Sequence, residues 1–117
     1  MPYNPGLHII SEFNSTQHHL LTSSNSFRDF LDGLIASHGL CKVGEVYHDF
    51  DGGGFTAVVC LTESHISIHT WPEFELATFD VFLSNYQHVN DGKARGIYQS
   101  VLEFYEGTEL QKNEIKR

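Results

Sequence analysis

Positive charge is what this chain has least of. Seven lysines and arginines stand against fifteen aspartates and glutamates, a formal net charge of −8 over 117 residues. Such a surface repels phosphate backbones and anionic lipid, so neither nucleic acid nor a membrane surface is an expected partner, while a cationic small ligand is compatible. Cysteine is scarce as well. Cys41 and Cys60 provide no disulfide framework and point to a reducing cytoplasm. No apolar run approaches a membrane span, and the start "MPYNPGLHII" carries no basic segment ahead of an apolar one, so neither anchor nor leader is expected. Internal repeats and low-complexity tracts are lacking too. What is present, 40% apolar residues and a mean hydropathy of −0.25, suits one soluble domain over residues 1–117 with a core of its own.

Residues 6–13, "GLHIISEF", alternate at strand period: Leu7, Ile9, Ser11 and Phe13 share one side, His8, Ile10 and Glu12 the other. The next segment, "NSTQHHLLTSS", is polar and turn-rich. In "NSFRDFLDGLIASHG", Phe27, Phe30, Leu31, Leu34 and Ile35 recur at helical spacing, with Ser24 or Asn25 as cap and Gly39 as stop. "CKVGEVYHDF" reads as a strand and residues 51–54, "DGGG", as a turn. "FTAVVCLT" is apolar on both faces, which predicts a central strand covered on both sides or set at a subunit interface. "SHISIHTW" alternates again, and "LATFDVFLS" gives one more strand. A second helix runs through "DGKARGIYQSVLEFYEG", with Ala94, Ile97, Tyr98, Val101, Leu102 and Tyr105 as its stripe, Asn90 or Asp91 as cap and Gly107 as stop. The polar tail "TELQKNEIKR" is expected to fray. The order β-α-β-β-β-β-α predicts an α+β two-layer sandwich, a mainly antiparallel sheet with two helices on one face.

Residues 61–73, "LTESHISIHTWPE", crowd reactive side chains onto one strand-like stretch. Taken alone, they allow several readings. His65, Ser67 and His69 fit the solvated face of an edge strand. A zinc site is disfavoured, because residues four apart on a strand lie roughly 13 Å apart, although His8, His18, His19, His38 and His48 remain free to converge elsewhere. A serine hydrolase lacks its G-x-S-x-G elbow, and Ser64 does not open a helix.

"ESHISIHTWPE", residues 63–73, resembles the self-processing site of the short, prokaryotic-type S-adenosylmethionine decarboxylases, which work through a pyruvoyl group. "HIISEF", the aromatic before a glycine turn in "HDFDGGG", and "DVF" follow in that family's order, over roughly residues 6–106. The resemblance implies that the Ser64 hydroxyl attacks the Glu63 carbonyl in an N-to-O acyl shift. β-Elimination and hydrolysis with loss of ammonia then leave two chains, 1–63 and 64–117, the second beginning with the pyruvoyl. By the same resemblance His69, on a strand beside the scissile bond, is the base of the elimination. Thr56 stands where the family has a processing serine. Phe50 is expected to stack on adenine and Glu73 to bind the ribose hydroxyls; a homodimer of processed protomers, with sites near the interface, and no metal complete the expectation. The reaction implied is decarboxylation of S-adenosylmethionine for spermidine biosynthesis.

One position departs from the pattern. After "DVF" the family runs Thr-Cys-Gly; here it is "LSN", which puts Ser84 in place of the catalytic cysteine. A thiol has a pKa of about 8.5 and an alcohol one near water's roughly 15.7, so Ser84 is not an equivalent acid. It is left to position a water, with His69 or Cys60 as other proton sources. Two alternatives therefore stay open: decarboxylation of arginine or ornithine, and a non-catalytic paralogue that serves a partner subunit.

Overall fold

The computed structural model describes residues 2–117. Its strands are β1 (Leu7–Asn14), β2 (Lys42–Asp49), β3 (Phe55–Leu61), β4 (Ser64–Trp71), β5 (Leu76–Leu83) and β6 (Thr108–Lys116); its helices are α1 (His18–Thr22), α2 (Asn25–Ser37) and α3 (Asp91–Phe104). The strands form one sheet in the order β2-β3-β4-β5-β1-β6, and every neighbouring pair is antiparallel. This is the α+β sandwich read from the pattern, with two additions. Among the described residues no helix is long and apolar enough to cross a membrane.

Strand alternation decides which face is covered. Leu7, Ile9 and Phe13 of β1, Phe55, Ala57, Val59 and Leu61 of β3, Ile66 and Ile68 of β4, and Ala77, Phe79, Val81 and Leu83 of β5 all turn inward and are buried. Phe27, Leu31 and Ile35 of α2 and Ala94, Ile97, Tyr98 and Val101 of α3 close over them. Each large apolar side chain so buried contributes roughly 1.5–3 kcal/mol. The opposite face of the sheet is bare. Val46, Val58 and Cys60 are exposed there, so β3 is central but has one face open rather than both covered. β4 is an interior strand, not the edge strand that one reading of its histidines required.

Both additions come from polar stretches. "HHLLT" folds into α1, whose Leu21 is buried. The tail expected to fray is β6, paired with β1 along its length although all nine of its residues are exposed. Arg95 to Glu114 (2.9 Å) and Lys116 to Asp91 (2.5 Å) tie it to α3.

The helix ends also differ in detail. Ser24 precedes α2, but its amide and hydroxyl both donate to the Asp49 carboxylate, at 2.8 and 3.1 Å. After α3 the left-handed residue is Glu106 (φ 48°), not Gly107. Gly107 is needed for space, since a Cβ there would lie 2.9 Å from Leu102 and Phe13 atoms.

Gly54 (φ +94°) meets both demands at the mouth of the glycine turn. A Cβ would sit 3.0 Å from the Thr70 carbonyl oxygen and 3.1 Å from Pro72 Cδ, in a backbone region that L-residues avoid. Gly54→Ala is expected to cost about 2 kcal/mol, read as a lower urea midpoint with an unchanged slope.

Candidate active site

Chain geometry isolates Glu63 and Ser64. β3 and β4 are joined through Thr62 and Glu63, with Leu61 and Ser64 paired across the hairpin. Two-residue hairpins favour residues that accept positive φ, usually Asn-Gly or Asp-Gly. Thr-Glu offers neither, and the positive φ falls on Ser64 at 143°. For a residue other than glycine this costs on the order of 1–3 kcal/mol. The peptide bond between Glu63 and Ser64 therefore enters a strained residue.

Neighbours hold that bond from one side. The Ser84 amide donates to the Glu63 carbonyl oxygen at 2.7 Å. An N–H on that oxygen polarises the carbonyl toward a nucleophile and stabilises charge that develops there. Ser84 is fixed in turn, because Asn90 Nδ2 donates to its carbonyl at 2.9 Å. Asn85 secures the same loop by donating to the Pro5 carbonyl and to Asp91, both at 2.9 Å, and by accepting from the Asn90 amide at 2.6 Å. A recess of about 260 Å³ opens beside Ser84, lined by Tyr3, Asn85, Tyr86 and Gln87.

The other expected residues gather at the far end of β4. Phe50, Thr56, His69, Trp71 and Glu73 line one cavity of about 340 Å³. Thr56 and His69 are direct partners across β3 and β4 on the open face, and the Thr56 hydroxyl is hydrogen-bonded to His69 Nδ1. In the tautomer where Nδ1–H donates, Nε2 is left as a free proton acceptor. Glu73 sits in a 3-10 turn, Pro72–Phe74, that Glu75 ends in the left-handed conformation (φ 51°). The Glu75 carbonyl accepts from the Ser15 amide (2.9 Å) and Asn14 Nδ2 (3.0 Å), which anchors the turn to β1. Thr70 Oγ1 accepts from the Phe55 amide at 2.9 Å and donates to the Leu21 carbonyl at 2.7 Å, joining the cavity floor to α1.

So the structure joins Glu63, Ser64 and Ser84 at one end of β4 and Phe50, Thr56, His69 and Glu73 at the other. Ser64 and His69 are five positions apart on an extended strand, roughly 16 Å at about 3.3 Å per residue. His69 is thus not beside the scissile bond of its own chain, contrary to the expectation from its place on the strand.

A cluster near Ser64 escaped the sequence reading. On the open face His8, His65 and Phe82 form a trio, with ring centroids 5.8 Å apart for His8 and His65 and 5.3 Å for His8 and Phe82. Arg117 donates to His8 Nδ1 at 3.2 Å, while His8 Nε2 lies 3.6 Å from Asp80. Burial holds the His8 imidazole below its ordinary value, against the opposing pull of Asp80. The signal was available: His8 and His65 both fall on the parity that faces away from the core. Among the described residues no three His, Cys, Asp or Glu side chains gather to hold a metal, so His8, His18, His19, His38 and His48 do not converge on one.

Comparison with known proteins places this geometry. The fold is the two-layer sandwich of the crystal structure of the adenosylmethionine decarboxylase from Aquifex aeolicus, with a TM-score of 0.80 at 28% identity over 99% of this chain and 91% of that one. The sequence profile described as S-adenosylmethionine decarboxylase matches residues 7–117. Relatives carrying the name S-adenosylmethionine decarboxylase proenzyme include those of Archaeoglobus fulgidus, 39% identical over 77 residues, and of Aquifex aeolicus, 42% identical over 77 residues. These matches cover 66% of this chain and, respectively, 69% and 57% of the two relatives. The chain belongs to the S-adenosylmethionine decarboxylase family.

Proposed function

We propose that this chain is the precursor of a pyruvoyl-dependent decarboxylase, which cuts itself between Glu63 and Ser64 and then acts on S-adenosylmethionine. The observation that carries the reading is the hairpin: a positive φ on Ser64 and an amide hydrogen bond on the Glu63 carbonyl. Attack by Ser64 Oγ forms the C–O bond of an ester, breaks the C–N bond and frees the Ser64 amine, relieving the backbone strain. Loss of the Ser64 α-proton to a base then expels Glu63 as a carboxylate, and hydrolysis of what remains releases ammonia. The Ser84 amide steadies the oxygen on which negative charge collects.

The residues present fit a pyruvoyl group at position 64, since the serine that would give rise to it follows a carbonyl already held by the Ser84 amide. Once formed, the group supplies an electrophilic carbonyl for the substrate amine and a sink for the electrons left by the carboxylate. The chain's own part is binding and orientation. Phe50 and Trp71 offer ring faces to a purine, and Glu73 offers carboxylate oxygens to ribose hydroxyls. An aromatic-walled cavity of about 340 Å³ with a carboxylate at its rim suits a cationic nucleoside better than a bare amino acid.

The active unit is a homodimer. One protomer leaves Ser64 and His69 roughly 16 Å apart, so His69 reaches a scissile bond only on a second copy. The bare sheet face, with Val46, Val58 and Trp71 exposed on it, is the surface through which two copies exchange these ends. Cys41 and Cys60 are both free and exposed, as suits a cytoplasmic protein.

Carbon dioxide release from labelled S-adenosylmethionine, arginine and ornithine tests the reading. Release from the first alone supports it, release from a basic amino acid transfers the activity to that substrate, and an uncut chain with no release makes it a non-catalytic relative. A narrower test addresses Thr56. Thr56→Ala frees the His69 ring and is expected to slow self-cleavage about tenfold, while Thr56→Ser restores it, both followed by intact mass over time.

A further inference from the structure

We infer that His48 is a positioning residue: it fixes the ring of Phe50 across the mouth of the cavity and so sets how tightly a purine nucleoside is held. The inference rests on the adenosine-binding role proposed for that cavity.

Phe50 follows the last residue of β2, an edge strand, and is 50% exposed. Its backbone is held firmly. The Phe50 amide donates to the Gly54 carbonyl at 2.9 Å, and the Phe50 carbonyl accepts from Gly53 at 3.0 Å. One residue earlier, the Asp49 carboxylate takes both the amide and hydroxyl of Ser24. None of these bonds restrains the side-chain torsions of Phe50. An exposed phenyl ring on a fixed backbone still samples its rotamers, and a ligand that stacks on it must arrest that motion.

His48 supplies the restraint. Its ring meets that of Phe50 edge to face, with centroids 4.8 Å apart and planes at 74°. Among the described residues it is the aromatic partner of Phe50. Its backbone is set by β2, which pairs His48 with Thr56, itself paired with His69, and the two rings in contact restrain one another. The ring that steadies Phe50 therefore sits on the same rung of the open face as the Thr56–His69 hydrogen bond. Phe50 remains half exposed and lines the cavity, so part of its ring stays open to a ligand.

The probe is methylthioadenosine, which carries the purine nucleoside and thioether but no carboxylate to lose. Trp71 is the single tryptophan of the chain and lines the cavity, so its fluorescence reports binding without turnover. In the processed enzyme His48→Ala is expected to weaken the titration about fivefold, the size of one aromatic pair. His48→Phe should stay within about twofold of wild type, since it keeps a ring edge in place. In a Phe50→Ala background His48→Ala should cost nothing more, because the contact it serves is already gone. KM for S-adenosylmethionine should rise with the dissociation constant while kcat stays level.

A His48→Ala enzyme that binds like wild type overturns the inference. So does an equal loss in the Phe50→Ala background, which would mean that His48 acts elsewhere, for instance on the contact between protomers. If wild-type enzyme cleaves itself and decarboxylates a basic amino acid but gives no titration, the adenosine reading falls and this inference with it.

Discussion

Ser64→Ala leaves the chain whole: intact mass shows a single 13.3 kDa species where the wild type gives two fragments, 1–63 and 64–117. The effect is all or none. Alanine keeps the backbone and lacks the only atom able to open the Glu63 carbonyl from within. The variant should also fail to react with a hydrazine, whereas wild type should bind one per cleaved chain. Cleavage of Ser64→Ala at the same bond, or a wild-type chain that stays intact on long incubation, would remove the chemical basis of the proposed function.

Cleavage there should not release the pieces under native conditions. Residues 1–63 supply β1, β2 and β3, and residues 64–117 supply β4, β5 and β6. The order β2-β3-β4-β5-β1-β6 interleaves them, so the seams β3–β4, β5–β1 and β1–β6 all join one fragment to the other. Side chains of both fragments also share the core. Native mass spectrometry should therefore show the fragments together. A cut there would fall in the hairpin between two interior strands, where the chain can break without losing a strand.

Legibility from sequence followed burial. Where one face of an element is covered and the other is polar, the pattern names it: Phe27, Leu31 and Ile35 on α2, and Ile66 and Ile68 on β4, whereas the apolar Val58 and Cys60 on the open face of β3 hid which of its sides is covered. β6 has no such pattern because nothing covers its side chains. It is a strand through backbone pairing with β1 and ion pairs to α3, which no hydropathic period encodes. α1 is a single short helix with one buried residue, too little for a period to show. At the candidate site, the sequence pointed to Glu63 and Ser64, and the structure sets them in the β3–β4 hairpin. The Ser84 amide on the Glu63 oxygen was not legible, since any residue presents an amide and only the strand register brings this one there. Serine at position 84 in place of the expected cysteine leaves this contact unaffected, because the amide is common to both residues. The distance from Ser64 to His69 could have been foreseen. The rise per residue that argues against a zinc site between two strand histidines also keeps a strand base from serving a serine five residues before it.

That distance yields the second decisive expectation. His69→Ala, made alone, should leave the chain uncut, and so should Ser64→Ala. Co-expressed, the two dead variants should produce cleavage. In a mixed dimer the Ser64 of the His69→Ala chain faces the intact His69 of its partner, while the reciprocal site lacks both groups. Random pairing makes half of the dimers mixed, each with one complete site, so about one quarter of all sites should be competent. The readout is the fraction of His69→Ala chains, marked by a tag on residues 64–117, that lose their first 63 residues. About half of the tagged chains are expected to be cut. If His69 instead served its own protomer, mixing would restore nothing, because no chain in the mixture holds both groups. A Ser64→Ala, His69→Ala double variant mixed in equal amount with wild type is the control: it should abolish cleavage of the wild-type chains in mixed dimers, and so about halve wild-type cleavage overall, only if the base crosses the interface. Dilution that dissociates the dimer should slow cleavage of wild-type precursor in the same way, since each protomer then holds the bond and the base at opposite ends of β4 with nothing to bring them together.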